Sequence, residues 1–508
     1  VGIYGEFTWG YGTLWGGSAV VYGTYPEIAY TLYVDWDNDG VFASSDVEED
    51  YMLSWTCERG RDFFLNSGGS GFEPVNEGKL TLTLDNTTGR YDPFNTDSPL
   101  YPNVVPGRAI QLIVQDTSTL TNHTVFTGTI DDIEPFANEQ TVQITAVDAI
   151  RKLNNIDVTI ALNADITVSD AIETILEAAG TTDYDIDSQL DVVSYWWVNQ
   201  QKAFDAVQEL CDASIGTFFV AADGTLKYHK RQRPVDVVID YDQSELLRDI
   251  KVQQPWNVIR NNIDIIVNPL VRQATSVLWT LQDAPSVSSS DTITLWGSFT
   301  YNDIGCPAID VISPVASSDY LMNSDAGGGG SDMTSDFTVT VDIFGESIKF
   351  TITNNSSSTG YITLLQVRGD PLTTPDPVRL NKVDAASAAA YGNRVFKLNS
   401  KWLQNTNIGI DLSDLVAELL ASPRKVPTVR IETRPDIQYT ADLFDRIGLV
   451  IARLSIDGAF RVGNIKHESM NSTCQSVMTT LTFEPVVDAV VGDYWIFPTL
   501  IGQTSIFA

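Results

Sequence analysis

Lys79-Leu80-Thr81-Leu82-Thr83-Leu84, closed by Asp85-Asn86, alternates polar and apolar side chains with a period of two. That period puts the three leucines on one face of an extended chain and the lysine and threonines on the other, so the segment reads as a half-buried strand ending in a turn. Outward from it the same pattern recurs in Tyr30-Thr31-Leu32-Tyr33-Val34, Ile110-Gln111-Leu112-Ile113-Val114 and Thr141-Val142-Gln143-Ile144-Thr145, with turn residues such as Pro106-Gly107 between the runs. Short strands at this spacing predict a β-barrel or sandwich over residues 28–150. Residues 1–27, dominated by Gly, Tyr and Trp, are too glycine-rich for a helix and too aromatic for a flexible linker; they predict an extended arm or small hairpin packed on something else.

Downstream the period changes. Val168, Ala171, Ile172, Ile175, Leu176 and Ala179 share one face of a helix, with Thr167 and Asp170 placed as a capping box and Gly180 as the stop. A second helix carries Ala203, Phe204, Val207, Leu210 and Cys211 and leads into two apolar runs separated by Asp223-Gly224, a hairpin signal. Residues 151–237 therefore predict a small α+β domain. Strands return over 238–275 and 371–487, with a helix through Leu412, Leu415, Val416, Leu419 and Leu420 that ends before Pro423, and together these predict a second, interrupted barrel. Residues 276–370 interrupt it as a β-sandwich lobe, with a mobile loop expected at Gly327-Gly328-Gly329-Gly330. Residues 488–508, with Tyr494, Trp495, Ile496 and Phe497, are too apolar for a free tail and predict a packing segment.

The first and last β regions share an ordering. Gly107-Arg108 leads one strand and Asp445-Arg446 another, and the interval from Gly128 to Val142 equals that from Gly463 to Val477. One barrel used twice is the expectation. Three such chains about a closed axis would present six similar barrels in a ring.

The chain is long enough for several cores at its 508 residues. Its 31 Lys plus Arg against 66 Asp plus Glu leave a formal charge of −35. Such a surface repels phosphate and excludes a protein that grips nucleic acid by neutralising its backbone, while an acidic wall would let a polyanion pass without sticking. Cys57, Cys211, Cys306 and Cys474 are far apart with no C-x-x-C pair, fitting neither a zinc ribbon nor a disulfide scaffold. No run of eighteen apolar residues predicts a membrane span, and Val1-Gly2-Ile3-Tyr4 does not open like a signal peptide, so synthesis in a cytosol is expected.

Asp35-Trp36-Asp37-Asn38-Asp39-Gly40, Arg59-Gly60-Arg61, the stretch from Gly78 through Asn86-Thr87-Thr88-Gly89-Arg90-Tyr91-Asp92-Pro93, and Pro106-Gly107-Arg108 together resemble the N-terminal half of minor tail proteins of long-tailed bacteriophages, the baseplate-hub or tail-hub family. The resemblance is specific over about 30–150 and looser over 151–275 and 376–487. It implies a mainly β protein with two related β-barrel hub domains, a small α+β domain and an inserted β-sandwich lobe. It also implies a homotrimer whose barrels form a pseudo-sixfold ring at the distal end of the tail in the virion. Such a hub joins the tail tube or distal tail protein to spike or fibre proteins, and leaves a channel for DNA ejection and for the tape-measure protein. No sequence-specific nucleic-acid binding and no catalytic residue carry over.

The sharpest local chemistry is Asp35-x-Asp37-x-Asp39-Gly40 with Asp46 eleven residues after Asp35, a spacing in which alternate carboxylates can converge on Ca2+. The other reading is a turn whose Asp and Asn side chains bond their own backbone. His123, His229 and His467 are the only histidines and none lies in a metalloprotease motif, nor does G-x-S-x-G occur, so no enzyme is expected. Lys227, His229, Lys230, Arg231 and Arg233 form the one basic cluster and predict either solvated surface or a dock for an acidic neighbour. A receptor- or glycan-binding tip protein that uses the 276–370 lobe is the alternative function, and a cell-wall hydrolase a third.

Overall fold

In the computed structural model the described residues are 28–61, 72–231, 233, 236–242, 248–432, 434–470 and 476–486. The arm expected at 1–27, the packing segment at 488–508 and Cys474 lie outside them. The fold is mainly β with smaller α+β parts.

Its centre is one 12-stranded sheet made of two six-stranded units. The first unit holds Ile28–Val34, Met52–Gly60, Asn76–Asp85, Ala109–Asp116, Thr121–Phe136 and Thr141–Val147; across the sheet they run first, fourth, fifth, sixth, third, second. The second holds Ile239–Asp242, Arg248–Gln253, Val426–Glu432, Arg446–Ile451, Ile456–Ser469 and Val477–Pro485, and its strands run in the same order. Register repeats as well as order. Thr129 pairs with Val147 and Ile130 with Ala146, and the shift that carries Gly128 to Gly463 carries these onto the observed pairs Asn464 with Thr482 and Ile465 with Leu481. One difference is that the first strand meets the fourth antiparallel in the first unit and parallel in the second.

Alternation decides what each strand buries. Leu80, Leu82 and Leu84 are fully buried in the core of the first unit beside Leu112, Phe126 and Ile144. Each buried leucine contributes about 1.5–3 kcal/mol relative to leaving it in water. Val429, Ile447, Leu449, Val462 and Phe483 form the matching core of the second unit.

Between the units, helix Val168–Ala178 is capped by the Thr167 hydroxyl, which accepts from the amide of Asp170, and stops at Gly180 with φ +68°. It packs with helix Ala203–Ser214 on the long ribbon of Asp157–Thr167 with Val192–Lys202. The hairpin at Asp223-Gly224 joins Thr217–Val220 to Leu226–His229.

The interrupted barrel expected over 238–275 and 371–487 is divided differently. Asn262–Val267, Val378–Val383 and Val395–Asn399 leave the main sheet and form their own three-stranded sheet under helix Thr406–Leu420, with a separate core of Ile263, Ile265, Phe396, Leu412 and Val416. A buried strand reads alike in either sheet, and here Asn262–Val267 pairs in parallel with Val395–Asn399, a contact that alternation does not reveal. The inserted lobe stacks strands gathered around Gly360–Thr373 against Thr292–Ser298, Ser347–Asn354 and Phe337–Ile343, over a core with Phe299, Phe350 and Ile362. The glycine run closes a hydrogen-bonded turn: Asp325 accepts the amides of Gly327 and Gly329, and Asn323 Oδ1 accepts those of Asp325 and Gly330. Among the described residues no helix is long and apolar enough to cross a membrane.

Candidate assembly seam and acidic loop

The two units meet where Met52–Gly60, an outer strand of the first, pairs antiparallel with Ile456–Ser469, an inner strand of the second, from Thr56 opposite Glu468 to Gly60 opposite Asn464. The joint is head-to-tail in character, because second strand meets fifth. Arg59-Gly60-Arg61 sits at its end. Arg59 Nη2 lies 2.7 Å from Asp442 Oδ1, and Arg61 donates through Nε at 2.6 Å and Nη2 at 2.8 Å to the two oxygens of Glu484, with both side chains buried. Arg61 Nη1 also donates to the Glu73 carbonyl at 2.7 Å, and Arg461 reaches Glu484 at 3.7 Å. Burial alone would raise the Glu484 carboxyl, but the charge and hydrogen bonds of Arg61, with Arg461, hold it below its ordinary value.

Gly60 is required by this geometry. Its φ is +108°, and a Cβ there would meet the Gly463 carbonyl oxygen and lie 2.9 Å from the Asn464 Cα. Gly60→Ala is expected to cost about 2–4 kcal/mol, from the left-handed backbone and the overlap together. A urea midpoint within error of the native one would refute the close approach.

His467 lies in the same seam, its Nδ1 2.8 Å from Thr479 Oγ1 and its ring 5.0 Å from that of Tyr439. Burial, with Arg59 nearby, depresses its pKa from 6.5 to about 3. Below pH 6.5 the unfolded chain takes a proton at this imidazole that the folded chain refuses until about pH 3, so the contribution to stability falls with falling pH across that window, by about 1.4 kcal/mol per unit. Asp148, pushed up to about 7 by burial, works in the opposite sense over part of the same range. The test is therefore differential: His467→Gln should gain about 2 kcal/mol on the native chain between pH 6.5 and 5. A constant difference in denaturation midpoints would count against a buried neutral imidazole.

A second cluster gathers the family-like motif residues. Glu48, buried, accepts from Trp36 Nε1 at 3.1 Å, from Arg90 Nε at 3.1 Å and Nη2 at 2.8 Å, and from the Tyr91 hydroxyl at 2.6 Å. Arg90 also lies over the rings of Tyr51 and Tyr91. Burial and the Glu48 charge push the Tyr91 phenol up.

The acidic loop brings three of its four expected ligands together. One oxygen each of Asp35, Asp37 and Asp39 lies within 4.8 Å of the others. Asp46 is not among them: it accepts the Ala43 amide at 2.7 Å and the Ser45 hydroxyl, closing a short 3-10 turn. Asp35 is buried and already accepts the amides of Asp39 and Gly40. Burial opposes its ionisation, yet these amides and a hydrogen bond with Asp37 outweigh it and keep its pKa low, while that same bond raises Asp37. Three carboxylates are hard donors of the kind Ca2+ takes, but the ion needs six to eight oxygens. The backbone bonds are those of an Asx-type turn.

The basic cluster finds its acidic neighbour inside the chain. Arg231 pairs with Asp191, Arg233 Nε lies 3.2 Å from Asp187, and Lys230 Nζ donates to the Ser188 carbonyl. Arg233 also meets His229 Nε2 at 2.9 Å, and His229 packs edge-on to Phe219. His123 lies beside Tyr439.

No family model and no curated protein matches this chain. Solved structures do. The chain is similar in fold to phage tail proteins. The 43 kDa tail protein of prophage MuSo2 from Shewanella oneidensis aligns at TM-score 0.47 and 10% identity, covering 90% of this chain and 98% of that one. A tail protein from Neisseria meningitidis MC58 aligns at 0.48 and 8% identity, covering 90% and 96%. Prophage tail protein gp18 from Listeria monocytogenes EGD-e aligns at 0.42 and 9% identity, covering 89% and 94%.

Sequence reasoning missed Glu48, Asp442 and Glu484. Glu48 stands in the acidic run Asp46-Val47-Glu48-Glu49-Asp50, where nothing marks it as buried, and the other two are far in sequence from the arginines they hold. The one available signal was Arg59 and Arg61 themselves, two cations flanking a glycine on a strand with a buried face.

Proposed function

We propose that this chain is a structural, non-enzymatic hub at the tip of a phage-type tail. Three copies would form a pseudo-sixfold ring between the tail tube or distal tail protein and the spike or fibre proteins. The observation that carries the reading is the repetition of one six-stranded order in both units, joined by a pairing of unlike edges. A joint between unlike surfaces repeats until it closes, and two similar units per chain reach six with three copies. The motif residues support a structural role, since Trp36, Arg90 and Tyr91 are spent on Glu48, and Arg59 and Arg61 on the seam. A net charge of −35 suits a ring through which DNA and a tape-measure protein pass without sticking. Electron microscopy of purified virions with gold-tagged antibody to this chain tests it. Label confined to the tail tip is expected; label along the tube or on the capsid would overturn it.

A second reading adds receptor or glycan binding by the inserted lobe. It is favoured by Trp296, 57% exposed on strand Thr292–Ser298 and stacked on Phe344 at 5.5 Å, an aromatic platform of the kind that presents an apolar face beside polar groups. Thr292 and Thr294 are exposed on the same strand, alternating with Ile293 and Leu295. Trp296→Ala should abolish glycan-array binding while leaving tip incorporation intact.

A further inference from the structure

We infer that the seam inside the chain is repeated between copies. The outer edge of Arg248–Gln253 of one copy pairs antiparallel with the free edge at residues 131–136 of the next, and Lys251 faces the carboxylates of Asp132 and Glu134. The inference rests on the ring reading above and names the surfaces that would build it.

The argument is one of equivalence. In the first unit Glu58 pairs with Lys79, and in the second Lys251 pairs with Thr428. Lys79 pairs with Val147 and Thr428 with Thr482, residues already matched by register, so Lys251 occupies the place of Glu58. Likewise Asp132 pairs with Thr145 and Lys466 with Thr480, which puts Asp132 in the place of Lys466. Inside the chain Glu58 stands opposite Lys466 across the seam. The equivalent residues of the unpaired edges are Lys251 and Asp132, opposite charges again with the signs exchanged.

Both edges are open among the described residues. Arg248–Gln253 ends the sheet with Val426–Glu432 as its one neighbouring strand. Strand Thr121–Phe136 pairs with Ala109–Asp116 only as far as Thr129, and the Gly107-Arg108 backbone bonds Ile130. Beyond that it pairs with Thr141–Val147 on one side and with no other strand among the described residues, and the Ile133 amide donates to Asp132 Oδ1 of its own strand at 2.9 Å. Asp132, Glu134 and Lys251 are exposed, Phe136 is 42% exposed, and Ile133 and Ile250 lie between the charges. An unpaired strand edge is a template for another strand, and Asp132 and Glu134 lie on one face two residues apart, so Lys251 meets one directly and the other diagonally. Pairing of this edge with the matching edge of another copy buries the backbone groups that both leave open.

Sedimentation velocity on the full chain tests the pairing with three variants: Lys251→Glu, the pair Asp132→Lys with Glu134→Lys, and all three substitutions combined. The native chain should form a closed three-copy species. Each single-edge variant should raise the concentration for half-assembly by about tenfold or more, and the combined variant should return to within about threefold of the native value. Thermal melts of each variant matching the native one would show that the exposed positions left the fold intact. If the native chain forms trimers and all variants assemble as it does, or the combined variant stays as weak as the single-edge ones, this pairing is overturned and the hub reading stands. A native chain that is monomeric at every concentration overturns the homotrimer and the pairing with it.

Discussion

Glu484→Gln is expected to lower the unfolding free energy by about 3–5 kcal/mol. The carboxylate is buried and accepts two hydrogen bonds from Arg61, with Arg461 3.7 Å away on the neighbouring strand. Neutralising it leaves two guanidinium groups facing each other with no anion between them, where little water reaches. The cost is dominated by that uncompensated charge and not by the lost contact, which fixes the rank order of three variants. Glu484→Gln should be the worst. Arg61→Met should cost less, because Arg461 still balances Glu484. Arg61→Met with Glu484→Leu should recover most of the loss, since apolar side chains of similar volume can replace a buried pair at little net cost. Urea unfolding at pH 7 measures all three. A double variant as unstable as Glu484→Gln would mean that the pair is held for its geometry, through the Arg61 bond to the Glu73 carbonyl, and not for its charge balance.

That network marks the boundary of what sequence periodicity conveys. The Lys79–Leu84 alternation gives the buried face because burial follows side-chain direction, a local property; Leu80, Leu82 and Leu84 are all fully buried. Helix Val168–Ala178 is legible for the same reason, down to the Thr167 cap. The twice-used unit was legible as an order of strands and an interval, Gly128 to Val142 against Gly463 to Val477, and both pairing register and strand order repeat. Local pattern does not carry the choice of partner. Asn262–Val267 reads as one more strand of the second unit, and only its parallel pairing with Val395–Asn399 places it in another sheet. Arg61 and Glu484 come together through strand pairing across almost the whole chain. The Asp35 loop was half legible. Its spacing brings three carboxylates together, yet Asp46 turns back to bond Ala43, because the short 3-10 turn at Ser44–Asp46 has amides of its own to satisfy.

Glu48→Ala should be comparably damaging in the first unit, at about 3–5 kcal/mol. One carboxylate receives four hydrogen bonds there, from Trp36, twice from Arg90, and from Tyr91. Its removal strands an indole N–H, a guanidinium and a phenol, of which the Tyr91 side chain is fully buried and that of Trp36 nearly so. Tyr91→Phe removes one donor and leaves the carboxylate neutralised by Arg90, so it should cost about 1.5–3 kcal/mol. Trp36→Phe gives up an N–H bond and some packing against Tyr91, whose ring centre is 6.2 Å away, and should fall in a similar range. Arg90→Lys keeps the charge but not the paired donors, nor the planar contact with Tyr51, and should not rescue the site. Near-UV circular dichroism reports on it directly, since Trp36, Tyr51 and Tyr91 pack together. If Glu48→Ala keeps the native aromatic signal and midpoint, the residues that carry the family resemblance are not a packing device, and their role must be sought at a surface. If the signal collapses while the second unit stays folded, the chemistry of Asp35–Gly40 and Gly89–Pro93 is the chemistry of building one unit. A site that acts on a substrate is then not needed to account for it.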